Sequence, residues 1–392
     1  VSAAPESIGG HLRTQLARGS FGGEDMSLSG FVGSRYYTNG DVTTTAGRLT
    51  MSNRSHRFSA IASLDDGQNI KTPAGEIRPS AIDRRRFDVS YAYTDGDNHL
   101  VVFAGRLDTR ESGTPALPMD IRYIDTNLAG GHFLLSLTPS LSIEGHLSAN
   151  DVEHLMDNFT LRSAPPAMRQ RQNYATGSST SAAFAAKFDL DTATLRIGVD
   201  ATLSDHDSTI TNPNDSAFRV NNFSAVDRNL ASLFGEWRIE RDVTELELGV
   251  RLKRVITDAG DIGAMGMMNP AVAALTDAFN NSNRNLSFND IDAVAKYRYR
   301  SSDAIEWLAE VARKSRAPSY QELYLWLPLQ ATGGLADGRT YVGDFDLDSE
   351  ISNELNFGIL STFGQMTLSP QVFYKRVSGY IQGTPSTNDM AN

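Results

Sequence analysis

RKSRAPSYQELYLWLPLQATGGLADGRTYVGD, from Arg313 to Asp344, follows directly on the run Ile305-Glu306-Trp307-Leu308-Ala309-Glu310-Val311. In an extended chain successive side chains alternate between two faces. Ile305, Trp307, Ala309 and Val311 then share one face, and Glu306 and Glu310 share the other. Pro318 has no N–H to give to a ladder and ends the strand. An aromatic segment follows (Tyr320, Tyr324, Trp326), then a Gly-rich loop (Gly333, Gly334, Gly338), and FDLDSEISNELNFGIL opens the next strand. Apolar residues facing out, charges facing in, an aromatic band and a long loop make up the hairpin of a membrane β-barrel.

Working outward, the same pattern recurs. Phe133, Leu135 and Leu137 lead through Thr138-Pro139-Ser140 into Leu141, Ile143, Gly145 and Leu147, interleaved with Ser142, Glu144, His146 and Ser148. Phe184 to Leu190 turns at Asp191-Thr192-Ala193 into Leu195, Ile197, Val199 and Ala201. Leu233, Gly235, Trp237 and Ile239 turn at Arg241-Asp242 into Leu246, Leu248, Val250 and Leu252. Ile291 to Tyr299 turns at Ser301-Ser302-Asp303 into Ile305. Period-two alternation of this kind is the mark of half-buried strands. Polar stretches separate the hairpins and are expected to be long loops: 39–51, 65–82, 162–181, 203–224, 258–288 and 327–345. Pro270 to Phe279 is the one helix-like stretch, inside such a loop. Short turns on one side and long loops on the other predict an all-β, transmembrane antiparallel β-barrel with about fourteen to eighteen strands.

Composition narrows the function classes. No run approaches the roughly 18 apolar residues of a spanning helix. With no cysteine there is no disulfide framework, cysteine metal site or thiol nucleophile. A net charge of −11 disfavours nucleic acid as a partner, because phosphate binding needs a basic face. The acidic pairs Asp65/Asp66, Asp95/Asp97, Asp205/Asp207 and Asp258/Asp261 lack calcium-loop spacing and read as solvated loop tips. No nucleophile elbow, zinc-protease helix, phosphate loop or dinucleotide motif is present, so the chain reads as no enzyme. Glu245 and Glu247 project together as an acid–base pair would, but a polar lumen wall balanced by Arg251 and Lys253 accounts for them. No charged and apolar leader follows Val1, and the chain is expected to be a piece of a longer protein.

The candidate site is in DVEHLMDNFTLR, Asp151 to Arg162. His154 and Met156 lie two apart and share parity with Ser142, Glu144, His146 and Ser148, so they are expected to face the lumen. His154 lies fourteen residues from the turn at Ser140. At the usual strand rise and tilt that is about 30 Å up, near the outer mouth. Imidazole with thioether suits copper, Cu(I) especially. The alternative is an ordinary rim histidine beside a packing methionine. Met265, Met267 and Met268 form a second candidate, a thioether track for a soft metal or, equally, adaptable packing. His146 is a weaker lumen candidate, and His11, His56, His99, His132 and His206 carry no spacing signal.

RAPSYQELY followed by GDFDLDSEISNELNFGI resembles the barrel motif of TonB-dependent outer-membrane receptors. GTPALPMDIRYIDT (113–126), HLMDNFTLR (154–162), YLWLPLQATGGLADGRTYVGD (324–344) and FYKRVSGYIQGTP (373–385) are similar to the copper receptors of that family. The resemblance implies a barrel of about 22 strands, closed by an N-terminal plug and driven by a TonB complex. It implies copper as the transported ligand, held by an H-x-M pair on the barrel, here His154 and Met156, with Cys and Met of the plug. Residues 1–392 are then expected to be the barrel alone, with plug and last strands missing. The expected setting is the outer membrane of a Gram-negative cell, as a monomer in contact with lipid and the TonB complex. Alternatives are a receptor of the same architecture for another cargo such as a siderophore, a passive porin-like channel, and a surface adhesin using only the loops.

Overall fold

The computed structural model describes residues 6–8, 15–267, 269–329 and 339–385. Its strands in chain order are β1 (Ser27–Tyr37), β2 (Val42–Ser52), β3 (His56–Gly67), β4 (Lys71–Thr72), β5 (Gly75–Glu76), β6 (Ile82–Thr94) and β7 (His99–Ser112). They continue as β8 (Asp120–Thr138), β9 (Leu141–Asp157), β10 (Gln172–Leu190), β11 (Ala193–Asn212), β12 (Asp215–Arg241) and β13 (Thr244–Asp258). Last come β14 (Gly263–Met265), β15 (Leu286–Ser302), β16 (Ile305–Arg316), β17 (Glu350–Phe363), β18 (Met366–Leu368) and β19 (Gln371–Ser378). Two helices, α1 (Pro270–Asn280) and α2 (Tyr320–Tyr324), lie in the connections.

Seventeen of these strands form one antiparallel sheet in which each long strand pairs with its successor. β4 and β5 make a small hairpin of their own, and β14 folds back on β12 beside β13. β1 and β19 are the two ends of the meander. Among the described residues no pairing joins them. The expected turns are in place at Pro139–Ser140, Asp191–Thr192, Asp242–Val243 and Asp303–Ala304.

Three expected loops are strand instead. β2 occupies most of 39–51, β10 begins at Gln172, and β11 and β12 run to within two residues of each other, separated by Pro213 and Asn214. Hydrophobic alternation stops where the wall rises out of lipid, but the ladder does not. Water wets both faces there, and Ser/Thr-rich segments keep their strand preference. β12 has 27 residues, far more than the roughly 10 needed to cross a bilayer.

Exposure divides the two faces of the wall. On the outside Leu233, Trp237, Val250 and Leu252 are about half exposed. On the inside Arg251 is 0% and Lys253 4% exposed. Arg251 pairs with Asp200 and Ser232 and lies 4.7 Å over the Phe234 ring. Lys253 Nζ lies 3.0 Å from Asp292 and donates to the Ser315 carbonyl at 2.6 Å. The carboxylates expected to balance these two cations have other partners. Glu245 is held by Arg238 (3.0 Å) and Arg298 (3.3 Å), and Glu247 lies 3.9 Å from Lys296. Side chains long enough to cross a strand pair with the nearest inward neighbour, which register sets.

The aromatic segment after β16 is not a lipid-facing band. Leu323, Tyr324, Leu325, Trp326 and Leu327 are all buried. They pack with Ile210, Val220 and Phe223 and with Val272, Leu275 and Phe279 of α1 in one cluster that fills the mouth. The chain is turned inward by Arg316. Its Nε donates to Glu350 at 2.6 Å, and its terminal nitrogens donate to Glu322 at 2.9 and 3.0 Å. Ser319 and Glu322 cap α2 reciprocally. Gly343 passes so close to the Leu323 carbonyl that a Cβ there has no room.

Burial works against ionisation of Glu322, but the Arg316 pair outweighs it and holds the carboxyl below its ordinary 4.5. A depressed carboxyl contributes stability above its unfolded value and loses it as pH falls through its folded value. In urea unfolding at pH 7, Arg316→Ala is expected to cost about 3 kcal/mol, as for loss of one partner of a shielded ion pair. The stability gap between wild type and Glu322→Gln is expected to be full at pH 7 and to close below pH 4.5. A gap that does not change with pH contradicts the assignment.

Candidate metal centre

β9 pairs with β10 without a shift from Gln172↔Asp157 to Phe188↔Leu141. The parity of Ser142 and Glu144 therefore carries through to His154 and Met156, and both face inward. Across the next two strands His154 lies in the row Ala175–Ser208, and Met156 in the row Asn173–Ile210. Ala175, Ser208 and Ile210 are buried, which closes the inner side of both rows. Ser208 Oγ donates to Asn173 Oδ1 at 2.8 Å and accepts from Asn222 Nδ2 at 3.4 Å.

The strand end is locked just beyond Met156. Asp157 accepts from Phe159 N (3.0 Å), Thr160 N (2.8 Å) and Thr160 Oγ1 (2.6 Å), an Asx turn that stops the strand. Arg162 forks onto Asp120 at 2.6 and 2.8 Å and donates to the Leu117 carbonyl at 3.0 Å. Asp120 also accepts from Thr114 N at 2.9 Å. The two sequence pieces 113–126 and 154–162 are thus one clamp. Opposite Met156 the β8 ladder slips between Ile121 and Tyr123, leaving Arg122 as the extra residue of a bulge. Such bulges re-aim side chains next to functional positions.

His154 Nε2 is buried and, among the described residues, has no hydrogen-bond partner. A buried ring nitrogen left so is costly unless something else completes it. His206 lies on the same inward face, two strands away and one inward row lower, and its ring packs against Phe223 (5.3 Å) and Tyr320 (4.9 Å). Sequence reading set His206 aside because no local spacing links it to His154. Only the β9–β10–β11 register does. His146 also faces inward, directly across from His132, whose ring lies 5.7 Å from that of His99. His56 accepts or donates at 3.0 Å with the Tyr91 hydroxyl, and His11 lies outside the described residues.

The methionine track divides. Met265 is exposed on β14, opposite Arg219, whereas Met267 packs on the mouth cluster. Met268 lies outside the described residues. Among the described residues no group of three His, Asp or Glu side chains stands ready to enclose an ion. His154 and Met156 thus share one inward face without a third such residue beside them.

The family described as "TonB dependent receptor-like, beta-barrel" matches residues 17–392. Among solved structures, "Copper transporter OprC" is 18% identical with a TM-score of 0.72 and covers 91% of this chain and 55% of its own. The FrpB iron transporter from Neisseria meningitidis is 12% identical (TM-score 0.62; 93% and 55%). The hemophore receptor HasR of Serratia marcescens, in complex with HasA and heme, is 13% identical (TM-score 0.64; 91% and 55%). The chain thus spans about half the length of the solved proteins it matches. No curated protein matches it.

Trp326 anchors the mouth over this site, with Nε1 donating to the Asn221 carbonyl at 3.0 Å. Trp326→Ala is expected to cost about 3–5 kcal/mol in urea unfolding. It should also expose residues 323–327 to limited proteolysis. Unchanged stability and cleavage would remove the anchoring role.

Proposed function

We propose that this chain, which belongs to the TonB-dependent receptor β-barrel family, is the outer-membrane wall of a receptor that captures copper at its extracellular mouth. The observation that carries this reading is the buried, unpartnered Nε2 of His154 on the same inward face as Met156. An imidazole nitrogen and a thioether form a borderline-to-soft pair that suits copper and serves Mg²⁺ or Ca²⁺ poorly. Likeness to a copper transporter points the same way, although iron and heme receptors share the fold.

In this proposal copper is cargo. His154 and Met156 hold it from the wall, and a plug carried by the rest of the protein supplies the remaining donors. The wall donors are fixed by the clamp of Asp157, Arg162 and Asp120. Release then needs no change in the wall. When the TonB complex pulls the plug, its donors leave and the two-donor remnant no longer holds the ion. Met265, exposed above the mouth cluster, offers a first thioether to arriving copper, and Met267 serves packing. The receptor works as a monomer and performs transport, with no bond-making chemistry.

In the full-length receptor, His154→Ala and Met156→Ala are each expected to abolish tight copper binding, read as metal per protein by elemental analysis. Met265→Leu should leave the bound copper unchanged. Full copper content in the first two variants would sink the reading, whereas bound iron or heme in its place would reassign the cargo.

A further inference from the structure

The lipid-facing side of the wall carries a depression that the cargo site does not use. Its volume is about 750 Å³, and it spans β10 to β15. Register explains its shape. Ala182, Ala201 and Ala231 stand side by side on three adjacent strands and make a shallow floor. The row below them is bulky, with Leu233 and Leu252 about half exposed. The same alanine row continues onto β13 at Arg254 and onto β15 at Asn289.

Arg254 is out of place on this face. Leu252 before it and Ile256 after it are both exposed apolar residues of the outer side. Its outward neighbours on β12 and β15 are Asn229, Ala231, Ser287 and Asn289, none of them acidic. Among the described residues the Arg254 side chain has no ion pair and no hydrogen bond. It lies ten residues above the turn that starts β13. With the usual rise and tilt this puts it about 23 Å up, at the top of an apolar band about 25 Å tall. A cation pointing into lipid is destabilising in proportion to its depth, and an Arg near the edge snorkels toward headgroups.

We propose that this depression binds one lipid A molecule of the outer leaflet. A lipid A phosphate receives the planar fork of Arg254, which matches phosphate geometry. Asn289 hydrogen-bonds the adjoining sugar, and an acyl chain lies across Ala182, Ala201 and Ala231. Charge complementarity and depth select this occupant. The cation stands at the level of the outer leaflet's phosphates, and the floor below it accepts a saturated chain. A lipid seated there would also shield the strand region behind it, where Arg251 and Lys253 are buried on the inner face.

The test uses the full-length receptor purified from Gram-negative outer membranes, with retained lipid counted by native mass spectrometry after detergent exchange. Wild type is expected to keep one lipid A per barrel. Arg254→Ala should lower its retention about tenfold, as expected for loss of one charge-assisted phosphate contact. Ala201→Leu fills the floor while keeping the cation and should lower it as well, and Arg254→Lys should hold lipid A better than Arg254→Ala. Both positions face outward, so heat-modifiable migration on gels should stay that of the folded barrel, and copper content should not change. Equal lipid A retention in wild type, Arg254→Ala and Ala201→Leu overturns the proposal. So does retention of a glycerophospholipid in its place.

Discussion

Backbone hydrogen bonding in lipid is the constraint from which the rest of this structure follows. No water reaches the bilayer core, so each N–H and C=O must find a partner within the protein. A meander in which each strand pairs with the next meets that demand with the shortest connections. The two-residue turns at Pro139–Ser140, Asp191–Thr192 and Asp242–Val243 are its direct result. The same ladder then fixes which side chains share a row. The charge pairs, the mouth and the donor pair all depend on those rows.

The wall is apolar outside and charged inside, the reverse of a soluble domain. Lipid accepts Leu233, Trp237 and Val250 on one face. The other face holds Arg251, Lys253 and Asp292, each matched across strands. Buried charges of this kind are costly unless well paired, and such pairs add little net stability. Apolar packing therefore concentrates where the wall leaves the membrane. There β11, β12, α1 and residues 323–327 close over one cluster. Arg316, with Glu322 and Glu350, bends the chain into that cluster. The RAPSYQELY segment thus braces this cluster, which includes Ile210 of the same inward row as Met156.

Much of this was legible in the residues. Alternation in 133–147 and 233–252 named strands, faces and turns, because lipid on one side and lumen on the other impose a strict period of two. The parity of His154 with Ser142 survived because β9 has no slip against β10. Alternation failed above the membrane. In 203–224 both faces meet water, so strand and loop look alike in sequence, and a tight hairpin at Pro213–Asn214 was read as a loop. The aromatic segment misled for a related reason. Tyr324 and Trp326 have the composition of a membrane girdle, and only the ion pairs of Arg316 show that they turn inward.

By itself the sequence determined the class of the molecule, the faces of the strands that cross lipid, and the shared inward parity of His154 and Met156. These are local properties, set by alternation within one strand. Tertiary structure decided what stands beside what. It put His206 on the inward face that His154 shares, put Arg254 at the end of an alanine row, and buried the aromatic segment. Each of these depends on register between strands far apart in the chain. Register is set between strands, by turn geometry and by which faces are buried, and no single strand encodes it.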